Sequence, residues 1–244
     1  MKDGIFEITE NRELAPGVFR LKLRGDTSAL TKPGQFLNIR LDGFFLRRPL
    51  SLCDLEGDEI TAIYKTVGAG TGKLSGMKPG EKLSVLTGLG NGFSLEKAGD
   101  RPLLVGGGSG VPPMYLLAKK LIAEGKNVSV ILGFNTASEV YYEEEFKALG
   151  CSVSVTTADG SRGIKGLVTD APCFGFSCWY ACGPEPMLRA LHAKLDYPGQ
   201  LSFDRRMGCG FGACMGCSCK TVTGGKRICK EGPVLDREEI IWED

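Results

Sequence analysis

One stretch limits what this chain can be: residues 207–229, MGCGFGACMGCSCKTVTGGKRIC. It sets Cys209, Cys214, Cys217 and Cys229 in a C-x4-C-x2-C…C pattern, the spacing of a plant-type [2Fe–2S] cluster. Three thiolates from one tight loop must converge on two iron atoms, so the chain between them needs small residues and permissive dihedrals. Gly208, Gly210, Gly212, Ala213 and Gly216 meet that need. The fourth ligand, Cys229, follows a turn-like segment, Thr223 to Lys226. Disulfides, zinc and plain burial are the competing readings. Structural zinc usually takes two C-x2-C pairs, or a pair with histidines. Here there is no second pair, and the only histidine, His192, lies outside the stretch and reads as structural. Disulfides suit a secreted chain. The first residues, MKDGIFEITENRE, lack the layout of a signal peptide, so the ten cysteines point to a reducing cytoplasm. Cys219 falls outside the spacing and reads as a neighbour of the ligands.

An iron–sulfur centre moves one electron at a time, so the rest of the chain has to explain what gives and takes those electrons. A net charge of +1 argues against nucleic acid or an anionic membrane as an electrostatic partner. The longest uncharged run, between Arg101 and Lys119, is interrupted by glycines and prolines and is no membrane span.

Up to about residue 95 the pattern is of short strands between turns, at 5–8, 18–23, 35–41, 49–52, 60–67 and 82–86. Several alternate apolar with polar, and Pro16-Gly17, Pro33-Gly34 and Pro79-Gly80 mark turns. Such spacing predicts a small antiparallel β-barrel. Two places in it look chemical. Arg47-Arg48-Pro49-Leu50-Ser51 puts two arginines at the head of an apolar strand. They are either a solvated edge pair or an anion site, for which the planar guanidinium is suited. Tyr64-Lys65-Thr66-Val67-Gly68-Ala69-Gly70-Thr71-Gly72 runs from a strand into a glycine-rich turn and a short helix, 73–77, which Thr71 would cap. It is either an ordinary turn or a second anion contact that shares a pyrophosphate with Arg48.

Around Asp100 the texture changes. Strands at 102–105, 127–132, 151–156 and 177–181 alternate with helices at 114–124, 139–149 and 185–195, which predicts a doubly wound parallel α/β sheet. Between the first strand and its helix lies Gly106-Gly107-Gly108-Ser109-Gly110, with Val111 where a G-x-G-x-x-G fingerprint needs its third glycine. It still reads as a phosphate-binding turn. The second strand ends Gly133-Phe134-Asn135-Thr136-Ala137-Ser138-Glu139, without Lys or Arg, and Glu143 to Glu145 follow. A 2′-phosphate wants a cation there, so NAD is favoured over NADP unless a residue such as Arg162 arrives from elsewhere. Cys182-Gly183-Pro184 follows the last strand, where ligands of open α/β sheets bind. Cys182 either lines that crevice or is a buried cysteine before a turn.

Together these residues resemble the ferredoxin–NADP reductase superfamily. Arg48-Pro49-Leu50-Ser51 matches its R-x-Y-S flavin motif, with Leu50 where tyrosine is usual, and Gly70-Thr71 matches the turn that holds the FAD pyrophosphate. Ile63, Tyr64 and Lys65, on the strand leading in, are expected beside them. Gly106 to Pro113 and Cys182-Gly183-Pro184 match the two nicotinamide-nucleotide motifs. With the cysteine loop and Gly232-Pro233-Val234 added, the chain is similar end to end to electron-transfer subunits of class 1B dihydroorotate dehydrogenases. That resemblance implies an FAD barrel (1–98), an NAD-binding α/β domain (99–200) and a small C-terminal [2Fe–2S] domain (201–244). It also implies a separate FMN-containing catalytic subunit, in a heterotetramer of two of each chain, that oxidises dihydroorotate. Electrons would pass through the cluster to FAD and leave as a hydride to NAD+, with Arg48 on the pyrophosphate, Ser51 near the flavin's reactive edge and no catalytic acid or base. Two alternatives stand beside it. One is a related subunit of another NAD(P)H oxidoreductase, of the bifurcating ferredoxin:NADP or hydrogenase type. In the bifurcating relative the first ligand position resembles aspartate, where this chain has Cys209. The other is a non-catalytic redox-sensing iron–sulfur module.

Overall fold

The structure is a computed structural model that describes residues 1–242. Its first part is a closed six-stranded barrel: β1 (Lys2–Ala15), β2 (Val18–Arg24), β3 (Phe36–Ile39), β4 (Arg48–Glu56), β5 (Glu59–Lys65) and β6 (Lys82–Leu89). Neighbours run β1-β2-β5-β4-β3-β6 and back to β1, with every pairing antiparallel. The alternation seen in the sequence sorts the faces. Leu37, Ile39, Leu50, Leu52 and Tyr64 fill the barrel core, while Phe36 packs outward into a different cluster with Cys217 and Cys229. Helix α1 (Ala69–Ser75) closes one end. It begins four residues earlier than the glycine content suggests. Thr71 is therefore inside the first turn rather than at the cap; its hydroxyl reaches back to accept the N–H groups of Val67 and Gly68. Gly68 takes the cap position.

The second part adds β7 (Pro102–Gly107), α2 (Val111–Ala123), β8 (Ser129–Phe134), α3 (Glu143–Ala148), β9 (Ser152–Thr157), β10 (Ile164–Lys165), β11 (Cys178–Cys182), α4 (Glu185–Lys194) and β12 (Gly199–Ser202). Pro112 and Pro113 lie in the first turn of α2, where a missing N–H is tolerated, so the helix starts before the expected 114. The helix expected over 139–149 is shorter. Ala137–Glu139 forms a 3-10 turn, Val140 is extended and Tyr142 is left-handed at φ 65, so α3 starts only at Glu143. Tyr141 and Tyr142 are both buried.

The third part contributes a hairpin, β13 (Ser218–Thr221) with β14 (Gly224–Arg227), and a last strand, β15 (Val234–Asp236). The hairpin turn falls at Val222 and Thr223, so Gly224 and Gly225 are already in β14. Strand β15 pairs antiparallel with β12, which gives a seven-stranded sheet in the order β10-β9-β8-β7-β11-β12-β15. The cysteine segment is thus a loop-out between two neighbouring strands of the nucleotide-type sheet. Lys119 of α2 ties the sheet to the barrel by donating to both carboxylate oxygens of Asp54 on β4, at 3.1 and 3.0 Å. No helix of the described residues is long and apolar enough to cross a membrane.

Candidate functional site

The sheet order reverses beside β7. Strands β8, β9 and β10 build outward on one side, β11 and β12 on the other. Where order reverses, the connecting segments diverge and leave a crevice beyond the carboxyl ends of the strands. Gly106 and Cys182 are paired neighbours at those ends. A Cβ on Gly110 would lie 2.0 Å from the Cys182 carbonyl oxygen, and one on Gly107 2.4 Å from Met187 Sδ. The turn after β7 is therefore pressed against Cys182-Gly183-Pro184, and the two motifs form one site. Ser109 is part of the 3-10 turn Gly108–Gly110. Cys182 itself is buried, and burial pushes its thiol up to about 12. It borders the crevice as a neutral, closely packed group.

Two cations sit on carboxylates of the segment that follows β8. Arg162 Nη2 is held by Glu143 at 2.6 Å and Lys65 by Glu139 at 3.6 Å. Each is offset by a carboxylate, which fits NAD. Tyr141 braces the turn, its hydroxyl donating to the Gly108 carbonyl at 2.7 Å.

On the barrel, Arg48 meets the start of α1. A Cβ on Gly70 would fall 2.2 Å from Arg48 Nε, and the Phe44 ring lies 4.8 Å beneath the guanidinium carbon. The two sequence motifs thus share one corner, and glycine at 70 is what lets the guanidinium settle on the helix. Along β4, Pro49 and Ser51 point away from the barrel core while Leu50 points into it, so a stacking ring at position 50 would face the wrong way. Ile63 and Tyr64 are buried too. The Tyr64 hydroxyl donates to Asn11 Oδ1 at 2.9 Å, which leaves only the main chain of this segment open to a ligand.

The four cysteines form two pairs. Cys209 Sγ accepts N–H bonds from Phe211, Ala213 and Cys214 at 3.5, 3.2 and 3.4 Å, and Cys214 Sγ accepts one from Cys209 at 3.4 Å. Cys217 Sγ accepts the Cys229 N–H at 3.4 Å. Cys214 is exposed and Cys209 half-buried, whereas Cys217 and Cys229 are buried. Gly210 and Gly212 supply the loop's reversals at φ 79 and 92, and Met215 makes a third at φ 60. Gly208 instead makes room for sulfur, since a Cβ there would crowd Cys214 Sγ at 3.1 Å, whereas one on Gly216 would meet it at an ordinary 3.6 Å. Burial raises the Cys209 thiol, but hydrogen bonds from the Phe211 backbone and from Cys214 outweigh it and hold it down at about 6. Cys229 is pushed up to about 12, first by burial and then by Cys217. Among the described residues no group of three or more His, Cys, Asp or Glu is gathered closely enough to hold a metal ion. Two thiol pairs, one facing out and one in, with N–H groups aimed at sulfur, fit a two-iron cluster held by two thiolates per iron. Cys219 is on β13 opposite Lys226, outside both pairs.

Residues 204–241 match the family model "iron-sulfur cluster binding domain of dihydroorotate dehydrogenase B", and residues 104–193 match "oxidoreductase NAD-binding domain". The chain is 43% identical to the dihydroorotate dehydrogenase B (NAD(+)) electron transfer subunit of Geobacillus sp. (strain WCH70), over 99% of each chain. It is 45% identical to that of Bacillus caldolyticus, over 96% of each. The chain belongs to this electron transfer subunit family. Among solved structures it is similar to a chain from an NADH-dependent reduced ferredoxin-NADP oxidoreductase involved in flavin-based electron bifurcation. The TM-score is 0.89 at 33% identity, covering 98% of this chain and 90% of that one. The flavohem-like FAD/NAD binding domain of a Vibrio cholerae nitric oxide dioxygenase shares the fold, at TM-score 0.68 and 21% identity over 79% and 92%.

As a member of the electron transfer subunit family, the chain is an oxidoreductase subunit that takes FAD, NAD and a [2Fe–2S] cluster. Two groups at the site carry no motif. Asn38 of β3 donates from Nδ2 to the Cys209 carbonyl at 3.1 Å, and Glu143 neutralises Arg162. A polar residue inside an otherwise apolar strand, Phe36-Leu37-Asn38-Ile39, is the one available sequence signal for Asn38.

Proposed function

We propose that this chain carries electrons from an FMN-containing dihydroorotate dehydrogenase catalytic subunit to NAD+. It would serve pyrimidine biosynthesis in the cytoplasm, as part of a heterotetramer of two of each chain. When bound, the [2Fe–2S] cluster relays single electrons and FAD collects two for delivery to NAD+ as a hydride. The chain's own residues bind and orient; none needs to act as acid or base. Residues 1–98 bear the flavin, 99–200 the nucleotide and 201–244 the cluster, with 243 and 244 lying outside the described residues. Arg48, Gly70 and Thr71 hold the FAD pyrophosphate. Pro49 and Ser51 face the ring, while Leu50, Ile63, Tyr64 and Lys65 back it. Gly106, Gly107, Gly108, Ser109 and Gly110 receive NAD together with Cys182, Gly183 and Pro184. Cys209 and Cys214 bind the outer iron, Cys217 and Cys229 the inner one.

The observation that carries this reading is the division of the thiols into an exposed pair and a buried pair, which gives the cluster an outward and an inward side. The test is anaerobic addition of NADH to the purified chain, following flavin and cluster absorbance. Both bleach on this reading. A chain that holds zinc without iron, or that NADH leaves unbleached, overturns it. Dihydroorotate-dependent NAD+ reduction should then appear only after the catalytic subunit is added.

The docking face is the exposed rim of the cysteine loop, with Phe211, Met215 and Arg206 outward. Arg205 is engaged by Glu185 at 3.3 Å and contributes less. Arg206→Glu is expected to weaken capture of the catalytic subunit about tenfold, the scale of one truncated interfacial charge; undiminished pull-down would exclude this face. Arg48→Ala is expected to weaken FAD about 100-fold, since charge-assisted bonds to phosphate contribute about 1.5–3 kcal/mol each. Flavin retention through gel filtration reads it out. The bifurcating-enzyme reading is favoured by the 0.89 structural match. Cys209 at the first ligand position weighs against it, and catalysis of dihydroorotate oxidation with the cognate partner decides.

A further inference from the structure

We infer that Asn38 is a positioning residue that joins the cluster loop to the strands bearing the flavin motif. The inference rests on the proposed flavin and cluster sites. Within β3, Leu37 and Ile39 point into the barrel core, whereas Phe36 packs on the cluster of residues that includes Cys217 and Cys229. Alternation puts Asn38 on that same outward face, where it is 1% exposed. Its Nδ2 donates to the main-chain carbonyl of Cys209 at 3.1 Å, a contact between residues 171 apart in the chain. The loop is shaped to allow it. Gly210 comes so close that a Cβ there would lie 2.3 Å from the same nitrogen. Directly opposite Asn38 on β4 is Pro49, and Ser51 is the next residue on that face. One side chain therefore spans from the strand pair carrying Arg48-Pro49-Leu50-Ser51 to the main chain of a cluster ligand.

Packing alone does not explain an asparagine here. The amide is buried, and its Oδ1 has no partner among the described residues. An unpaired buried acceptor costs about 1–3 kcal/mol, and an apolar side chain would avoid that. What the amide adds is an N–H that fixes Cys209 in distance and orientation relative to β4. Partners of metal ligands at this remove set ligand geometry and tune the centre.

The test uses Asn38→Ala in the full chain, loaded with FAD and iron, and a second variant, Gly210→Ala, that disturbs the same contact from the loop side. Each is mixed anaerobically with NADH, the two-electron reductant. Flavin bleaching and one-electron reduction of the cluster are followed separately, with paramagnetic resonance of the reduced cluster and FAD and iron content as further readouts. Flavin bleaching should proceed at the wild-type rate with FAD content unchanged. Cluster reduction should lag about tenfold, the lower end of what losing an outer-shell partner does, and the resonance spectrum should shift in both variants. In Gly210→Ala the left-handed φ of 79 adds strain in the loop itself, so that variant should lag at least as far as Asn38→Ala. Loss of iron with FAD retained, in both variants, would support the same role in stronger form. Wild-type kinetics and spectra in both variants would overturn the inference. So would loss of FAD or equally slowed flavin bleaching in Asn38→Ala, which would make Asn38 a barrel residue only. Failure of the underlying reading is distinct: the wild-type chain itself would lack flavin or iron.

Discussion

Cys214→Ser should strip the iron while sparing the flavin. Cys214 is the exposed member of the outer pair, its sulfur held by the Cys209 N–H and flanked by Gly208 and Gly216. A serine hydroxyl is not ionised near neutral pH and offers iron a poor substitute for a soft thiolate. Iron should fall from about two per chain to near zero. With the catalytic subunit present, passage of electrons to NAD+ should drop by more than about 100-fold, beyond what losing an outer-shell partner does. NADH should still bleach the flavin, because the nucleotide crevice and the Arg48 corner make no use of Cys214. Cys219→Ser is the control and should keep its iron. Iron analysis decides: a serine variant at 214 that retains the cluster, or one at 219 that loses it, would refute the ligand set.

Gly110→Ala should be the most damaging single methyl group in the nucleotide-binding part. Its Cβ would lie 2.0 Å from the Cys182 carbonyl oxygen and 2.5 Å from the Gly183 nitrogen. Both are backbone atoms at the end of a central strand, so neither can swing aside. The turn after β7 and the turn after β11 would have to part, which spoils the crevice and strains the sheet. Overpacking of this kind costs about 3 kcal/mol, a fall in Tm of about 10 °C for a chain this long. NADH should cease to bleach the flavin at concentrations that saturate the wild type. Gly108→Ala tests the reasoning from the opposite side. Gly108 has φ 50 but open space around it, so alanine there meets only the left-handed penalty of about 1 kcal/mol. Equal melting temperatures for the two variants would show that the close approach at 110 is not what holds the motifs together.

Several parts of the site are legible in the sequence because their chemistry is local. The C-x4-C-x2-C loop must come from adjacent residues, and so must the glycine-rich turn after β7. The barrel strands are readable because each has one face inward, which imposes a period of two. The helix expected over 139–149 is shorter in the structure. Three glutamates and a following Lys147 resemble a helix start and stop, but Val140 is extended and Tyr142 is left-handed, so the helix begins only at Glu143. The short strands β10, β12 and β15 are 2, 4 and 3 residues long. Nothing that short shows a period, and they exist because a neighbouring strand offers unpaired backbone. Leu50 can be placed in a motif from the sequence, but its inward direction depends on the register of β4 against β3.

By itself the sequence determined the order of a barrel, a parallel sheet and a cysteine segment, and it offered a donor set suited to iron and residues suited to phosphate. These follow from side-chain chemistry and from spacings of a few residues. The tertiary structure alone decided that the thiols divide into an outer and an inner pair and that Arg48 settles on Gly70. It also decided that Arg162 is neutralised by Glu143 and that Asn38 meets Cys209. Each of these contacts depends on strand register and sheet order, so its partners are adjacent in space while nothing in the local sequence announces them.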